Sequence, residues 1–174
     1  MSKARWRKIG RTWQRETTEV YDAPLELVWL LHANHMAPFV LENAGCDFEG
    51  PGSGHANGAM AAGQKCTVHS GPAGGKYDYV VAKVDPSAHS VELVETRGLL
   101  RRWRRRFELE KTPDGTAVTE RLLIERGLPL SFERPIVERL AARRTAAIHR
   151  WLGMSDSERP AFPKNAKAPM QRRN

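Results

Sequence analysis

The chain has only two cysteines in 174 residues, Cys46 and Cys66. Two thiols make neither a disulfide framework nor a Cys-rich metal cluster, so the expectation is a cytoplasmic protein with reduced thiols, no metal and no cofactor. Long apolar runs are missing as well. The longest, LVWLL at 27–31, stops at His32, far short of the roughly 20 residues that cross a bilayer. The N-terminus is basic but lacks the apolar stretch of a signal peptide. There is no internal repeat. An excess of one charge sign is missing from the middle of the chain, although the whole carries +8. Residues 1–15 hold six Lys/Arg and no acid, and residues 154–174 add five against two acids. The 17 basic and 18 acidic residues of 16–153 nearly cancel. A basic N-terminal tail (1–15), a folded domain (16–153) and a basic, Pro-containing C-terminal tail (154–174) are therefore expected. Weak polyanion contact, if the protein makes any, belongs to the tails.

What is present is a domain-sized chain with ordinary composition, 40% hydrophobic and 28% charged, able to bury a sizeable core. Thr and Val enrichment over 12–21 predicts a strand. Asp22 and Pro24 then suit the start of a helix with Leu27, Val28 and Leu31 on its apolar side and Trp29 widening it. A second short helical turn is expected after Pro38. Strands are expected at 46–50, 64–70, 76–84, 90–97, 100–111 and 116–126. They are punctuated by GPAGG, DPSAH and TPDGT, which is meander spacing. A long helix follows from about 131 to 152. The Gly/Ala-rich stretch 50–63 reads as a loop, a flap or a plain connector.

The stretch LLRRWRRRF at 99–107 poses the sharpest question, because five arginines around a tryptophan suggest a nucleic-acid grip. In a strand, however, alternate residues point to opposite sides. Trp103, Arg105, Phe107 and Leu109 share one face, and Arg102, Arg104, Arg106 and Glu108 share the other. The pleat divides the charges, so most of the run is a solvated strand face. Three charges remain on apolar faces: Arg105, Glu120 beside Val118, Leu122 and Ile124, and Arg144. At about 100° per residue, Arg144 falls inside the arc of Ile136, Val137, Leu140, Ala141, Ala147, Ile148, Trp151 and Leu152. Isolated charges in an apolar core are costly. These three are expected to pair, with Glu120 the first choice for Arg144, or to line a polar part of a cavity. Snorkelling to solvent is the plainer alternative for any one of them.

The order of elements resembles the helix-grip fold of the START-like (SRPBCC) superfamily, which includes polyketide cyclase/dehydratase and lipid-transport proteins. The resemblance rests on VYDAPLELVWLL (20–31), VVAKVDPSAHSVEL (80–93) and FELEKTPDGTAVTERLLIE (107–125), and spans about 16–153. It implies an α+β domain in which a curved antiparallel sheet wraps around the C-terminal helix, enclosing a mainly apolar cavity. It also implies binding of a hydrophobic or amphipathic small molecule. Trp103, Arg105, Phe107, Glu120, Leu122, Leu140, Arg144 and Ile148 are the expected ligand-binding residues, with Trp29, Leu109 and Ile124 adding apolar surface. The motifs carry no catalytic signature. The alternatives are a polyketide cyclase/dehydratase-like enzyme and an interaction module whose basic tails contact nucleic acid or anionic lipid.

Other chemical candidates are weaker. HANH sets His32 and His35 three apart, but no HExxH or Cys/His cluster accompanies them, nor do His55 and His69 complete one. Both read as solvent-facing or capping. The glycines at 50, 52, 54 and 58 fit no phosphate loop. Ser70, Ser90 and Ser131 lack a nucleophile elbow. Cys66 and His69 point to opposite sides of a strand. Tyr77, Asp78 and Tyr79 offer acid/base groups on a strand of ambiguous facing, and Glu120 is a structural partner before it is a base.

Overall fold

The computed structural model describes residues 4–34, 45–49, 59–70, 75–97, 103–125, 130–155 and 157–159. Strands β1 (Arg5–Ile9), β2 (Thr12–Tyr21), β3 (Gly45–Glu49), β4 (Lys65–Ser70), β5 (Gly75–Asp85), β6 (Ser90–Arg97), β7 (Trp103–Thr112) and β8 (Gly115–Glu125) are joined by helices α1 (Leu25–His32) and α2 (Leu130–Leu152). The strands form one antiparallel sheet in the order β1-β2-β8-β7-β6-β5-β4-β3. The meander β3 to β8 runs hairpin by hairpin, and β2 closes beside β8 at the far side. Strand boundaries fall within three residues of those the turn signals predict. The helical turn expected after Pro38 and most of the Gly-rich stretch lie outside the described residues.

Residues of the expected basic N-terminal tail lie in the sheet. β1 pairs with β2 through Gly10 (φ 58°), a left-handed position that glycine fills without strain. Charge density hid the pattern, because Arg5, Arg7 and Lys8 are exposed while Trp6 tucks against Leu122, Ile124 and Val137. Basic residues suit such an edge strand, since they discourage pairing with another chain. Asp22 was expected to cap α1, but the cap position is Pro24, with no side-chain cap bond. Gly115 is needed for space. A Cβ there would lie 2.2 Å from the Tyr21 carbonyl oxygen, where the β7–β8 hairpin crosses the end of β2.

Two apolar clusters fill the interior. The larger gathers Tyr21, Val28, Leu31, Val68, Val81, Val91, Phe107, Leu109, Val118, Ile148 and Trp151; the smaller gathers Trp103, Leu122, Ile124 and Val137. Cys66 is a buried member of the larger cluster. On the other face of the sheet the arginines meet acids. Arg104 pairs with Glu92 at 3.2 Å and Arg106 with Glu108 at 2.6 Å, while Arg121 joins Glu16 and Glu108. The run at 104–106 is thus divided by the pleat as its alternation predicts; Arg102 lies outside the described residues. No helix of the described residues is long and apolar enough to cross a membrane.

Candidate functional site

Antiparallel register stacks the inward-facing side chains in rows. Trp13, Ile124 and Trp103 form one row, Arg15, Leu122, Arg105 and Leu93 the next, and Thr17, Glu120, Phe107 and Val91 the third. Arg15 and Arg105 therefore flank Leu122 from both sides, one row from Glu120. Glu120 gives one carboxylate oxygen to Arg15 Nη1 at 2.9 Å and the other to Arg105 Nε at 3.2 Å. Arg15 also reaches α2, where its Nη2 lies 3.0 Å from Glu138 Oε2, and Trp6 Nε1 donates to Glu138 Oε1 at 2.7 Å. Burial works to raise the Glu138 carboxyl. The hydrogen bonds from Arg15 and Trp6 and the nearby positive charges outweigh it, and the group titrates below its ordinary value.

Two expectations change here. Glu120 pairs with Arg15 and Arg105, and it is not the partner expected for Arg144. Arg15 was assigned to the tail, and its alternation with Trp13 and Thr17 is the signal that locates it. Arg105 also lies between two rings, its guanidinium carbon 5.8 Å from the Trp103 centroid and 6.0 Å from that of Phe107. Arg104, by contrast, is exposed with its partner at the surface. Arg104→Ala is expected to change stability by about 0.5 kcal/mol or less, and Arg105→Ala to cost about 1–2 kcal/mol, as read by urea denaturation. Equal effects would mean that the pleat does not separate them.

Between the sheet and α2 lies a cavity of about 100 Å³, open on one side. Phe107, Val118, Ile148, Ala141 and Ala142 supply apolar wall. Arg15, Glu19, Glu120, Glu138, Arg144, Tyr21, Thr145 and His32 supply polar atoms. Of the predicted ligand-binding residues, Phe107, Glu120, Arg144 and Ile148 line this cavity. Trp103 and Leu122 sit in the smaller apolar cluster, and Arg105 stands behind Glu120. Leu140 points away and is 43% exposed. Rotation of the face does not account for this, because Trp151 and Glu133, about 20° from Leu140 on the helical wheel, are buried. Arg144 remains inside, with its guanidinium carbon 4.5 Å from the Phe107 centroid.

His32, expected at the surface or in a cap, is 2% exposed. It occupies the face of α1 that Val28 and Leu31 define, four residues after Val28, so the apolar periodicity already pointed inward. Its ring meets Phe107 edge-on at 5.0 Å, and Nδ1 lies 2.8 Å from the Val28 carbonyl oxygen. Burial first, and then the Arg144 charge, depress its pKa to about 3. Tyr21, its pKa raised by burial, hydrogen-bonds Thr145, and its ring lies 4.9 Å from that of His149, tilted by 45°.

A second acid lies further along the inner face. Glu95 is paired across the sheet with Tyr79, and burial pushes its pKa up to about 7 despite the opposing charge of Arg105. The folded state therefore holds this proton more tightly than the unfolded chain, and stability is lost as pH rises from about 4.5 to 7. Glu95→Gln should stabilise the protein at pH 8 by about 1–2 kcal/mol, discounted for partial exposure, and leave pH 4 nearly unchanged. Urea denaturation at the two pH values checks this.

The sequence matches no protein-family model and no curated protein. Among solved structures it is similar to the crystal structure of Ara h 8.0201, with a TM-score of 0.63 at 12% identity, over 81% of this chain and 97% of that one. The chain shares the helix-grip fold of that structure: an antiparallel sheet curved around a long C-terminal helix.

Proposed function

We propose that the protein binds a small hydrophobic or amphipathic molecule between the sheet and α2. The supporting observation is the half-open cavity, whose Phe107, Val118 and Ile148 offer apolar contact while Arg144 and His32 offer a few fixed polar atoms. Pockets for small organic ligands combine these two elements. Similarity of fold to Bet v 1-like proteins supports the same coarse reading. Native mass spectrometry of protein isolated from its own cells tests it. One retained organic molecule, released on denaturation, is expected. A ligand-free mass, together with no saturable uptake of toluene or naphthalene, would overturn the reading.

A second reading, an enzyme of the cyclase/dehydratase type, draws on one observation. Glu95 is a half-buried carboxyl with a pKa of about 7, next to Tyr79, which suits proton transfer near neutrality. Glu120, whose oxygens both meet guanidinium groups, is less suited to that role. Under this reading Glu95→Gln abolishes turnover without weakening ligand retention; under the carrier reading the wild type shows no turnover and ligand retention is unchanged in the variant.

A further inference from the structure

We infer that the outer side of α2 docks on an anionic lipid bilayer, with Phe132, Ile136 and Leu140 at the acyl boundary and Arg139, Arg143 and Arg150 on lipid phosphates. At about 100° per residue, with Phe132 at zero, Arg139, Arg150, Arg143, Ile136, Ala147 and Leu140 all fall between about −20° and +80°. From Phe132 to Arg150 this face runs about 27 Å. It contains no acid. The two acids of α2 are both withdrawn: Glu133 is 2% exposed, and Glu138 is held by Arg15 and Trp6. Ala141, Arg144 and Ile148 line the cavity from the other side of the helix. The surface therefore stands apart from the ligand-binding reading, and neither depends on the other.

Exposure and charge both ask for a partner. Phe132 is 65% exposed and Leu140 43%, with the half-buried Ile136 one turn from each. A continuous apolar stripe left in water marks an interaction surface more often than a scattered apolar residue does. The three arginines are exposed and make no ion pair among the described residues. On the outer face of the sheet, by contrast, Arg104, Arg106 and Arg121 each meet an acid. The mixture of side chains names the occupant. A second copy, meeting this face symmetrically, would set arginine against arginine with no acid between them. A nucleic acid would take the guanidinium groups but gains little from a Phe–Ile–Leu stripe. A bilayer surface uses both, because apolar side chains enter the acyl boundary while arginines reach back to the phosphates. The helix lies on such a surface and does not cross it.

Sedimentation of the full chain with lipid vesicles at about 0.1 M salt tests this. Vesicles with about one-third phosphatidylglycerol are expected to take up the protein at least about ten-fold better than pure phosphatidylcholine. The triple variant Arg139→Gln, Arg143→Gln, Arg150→Gln should lower that uptake about 10–100-fold, and Phe132→Ser about ten-fold. These side chains are exposed, so the urea midpoints should stay near that of the wild type. The control Arg5→Gln, Arg7→Gln, Lys8→Gln removes as much charge from β1, which meets α2 at Arg134 and Glu138, outside the docking face. It should change uptake by less than about three-fold. In Phe132→Trp, brominated lipid should quench fluorescence beyond the wild-type level, which a purely electrostatic contact does not produce. No uptake by either vesicle, or equal uptake by both, overturns the inference. So does an uptake that the β1 control abolishes and the α2 variants leave intact. Uptake indifferent to Phe132→Ser, with duplex DNA bound as tightly, would mark a polyanion surface instead. Self-association abolished by Phe132→Ser, without vesicle uptake, would mark a contact between copies and overturn it as well.

Discussion

Arg15→Ala is expected to destabilise the protein by about 3–5 kcal/mol and to lower Tm by about 6–20 °C. The Arg15 side chain is 5% exposed and ties three elements together, holding Glu120 of β8 and Glu138 of α2 from its place on β2. Removing it leaves Glu120, 13% exposed, with Arg105 as its remaining ion-pair partner among the described residues. Glu138 is more open and contributes less of the loss. The size comes from the orphaned carboxylate, and a second substitution isolates it. Arg15→Met with Glu120→Gln removes both charges and should recover most of the stability. A loss under about 1 kcal/mol in Arg15→Ala would mean that water reaches the network. Deletion of 1–15 is expected to be at least as damaging, since it removes β1 and Arg15 together. A test of polyanion contact by the N-terminal segment therefore calls for substitution of the exposed Arg5, Arg7 and Lys8.

The contrast between Arg15 and Arg105 shows where the sequence is legible. From β4 to β8 the turns are marked by Gly and Pro and the strands alternate, so their boundaries and the facing of 103–109 follow from local pattern. Arg105 and Glu120 could be recognised as interior charges because apolar neighbours frame them. At the N-terminus the same alternation is present, with Trp6 and Trp13 as inward markers, but six cations without an acid read as a solvated tail. The interior partner of Glu120 was hidden there. Pairing across strands depends on register, and β2 pairs with β8 at the other end of the meander, where no local turn sets the register. Leu140 illustrates the other limit. Helical periodicity fixes which residues share a face, but what lies opposite each turn of α2 decides which of them are covered: Trp151 is buried while Leu140, close to it on the wheel, is exposed.

The remaining large effect is a pair of opposed pH dependences. The unfolded chain accepts a proton on His32 near pH 6.5, whereas the folded protein refuses it until about pH 3. Stability from the neutral His32 is therefore complete above pH 6.5 and falls by up to about 1.4 kcal/mol per pH unit below it, near 2 kcal/mol by pH 5. Arg144 of α2 adds to the depression, and Tyr21 and Phe107 complete the ring's surroundings from β2 and β7. Glu95 acts in the other direction, since its raised pKa makes the fold more stable as pH falls from 7 to 4.5. Between pH 6.5 and 4.5 the two slopes oppose each other, so the wild-type profile should be shallow. The variants separate them. In Glu95→Gln, urea denaturation should show stability falling steadily below pH 6.5. In His32→Asn, whatever its stability at pH 8, stability should rise as pH drops toward 5. Parallel profiles in the two variants would show that these two groups do not set the pH response. Below pH 4.5 Glu95 has no more to give, and His32 continues to draw protons to the unfolded chain. Acid unfolding of the wild type should then set in steeply.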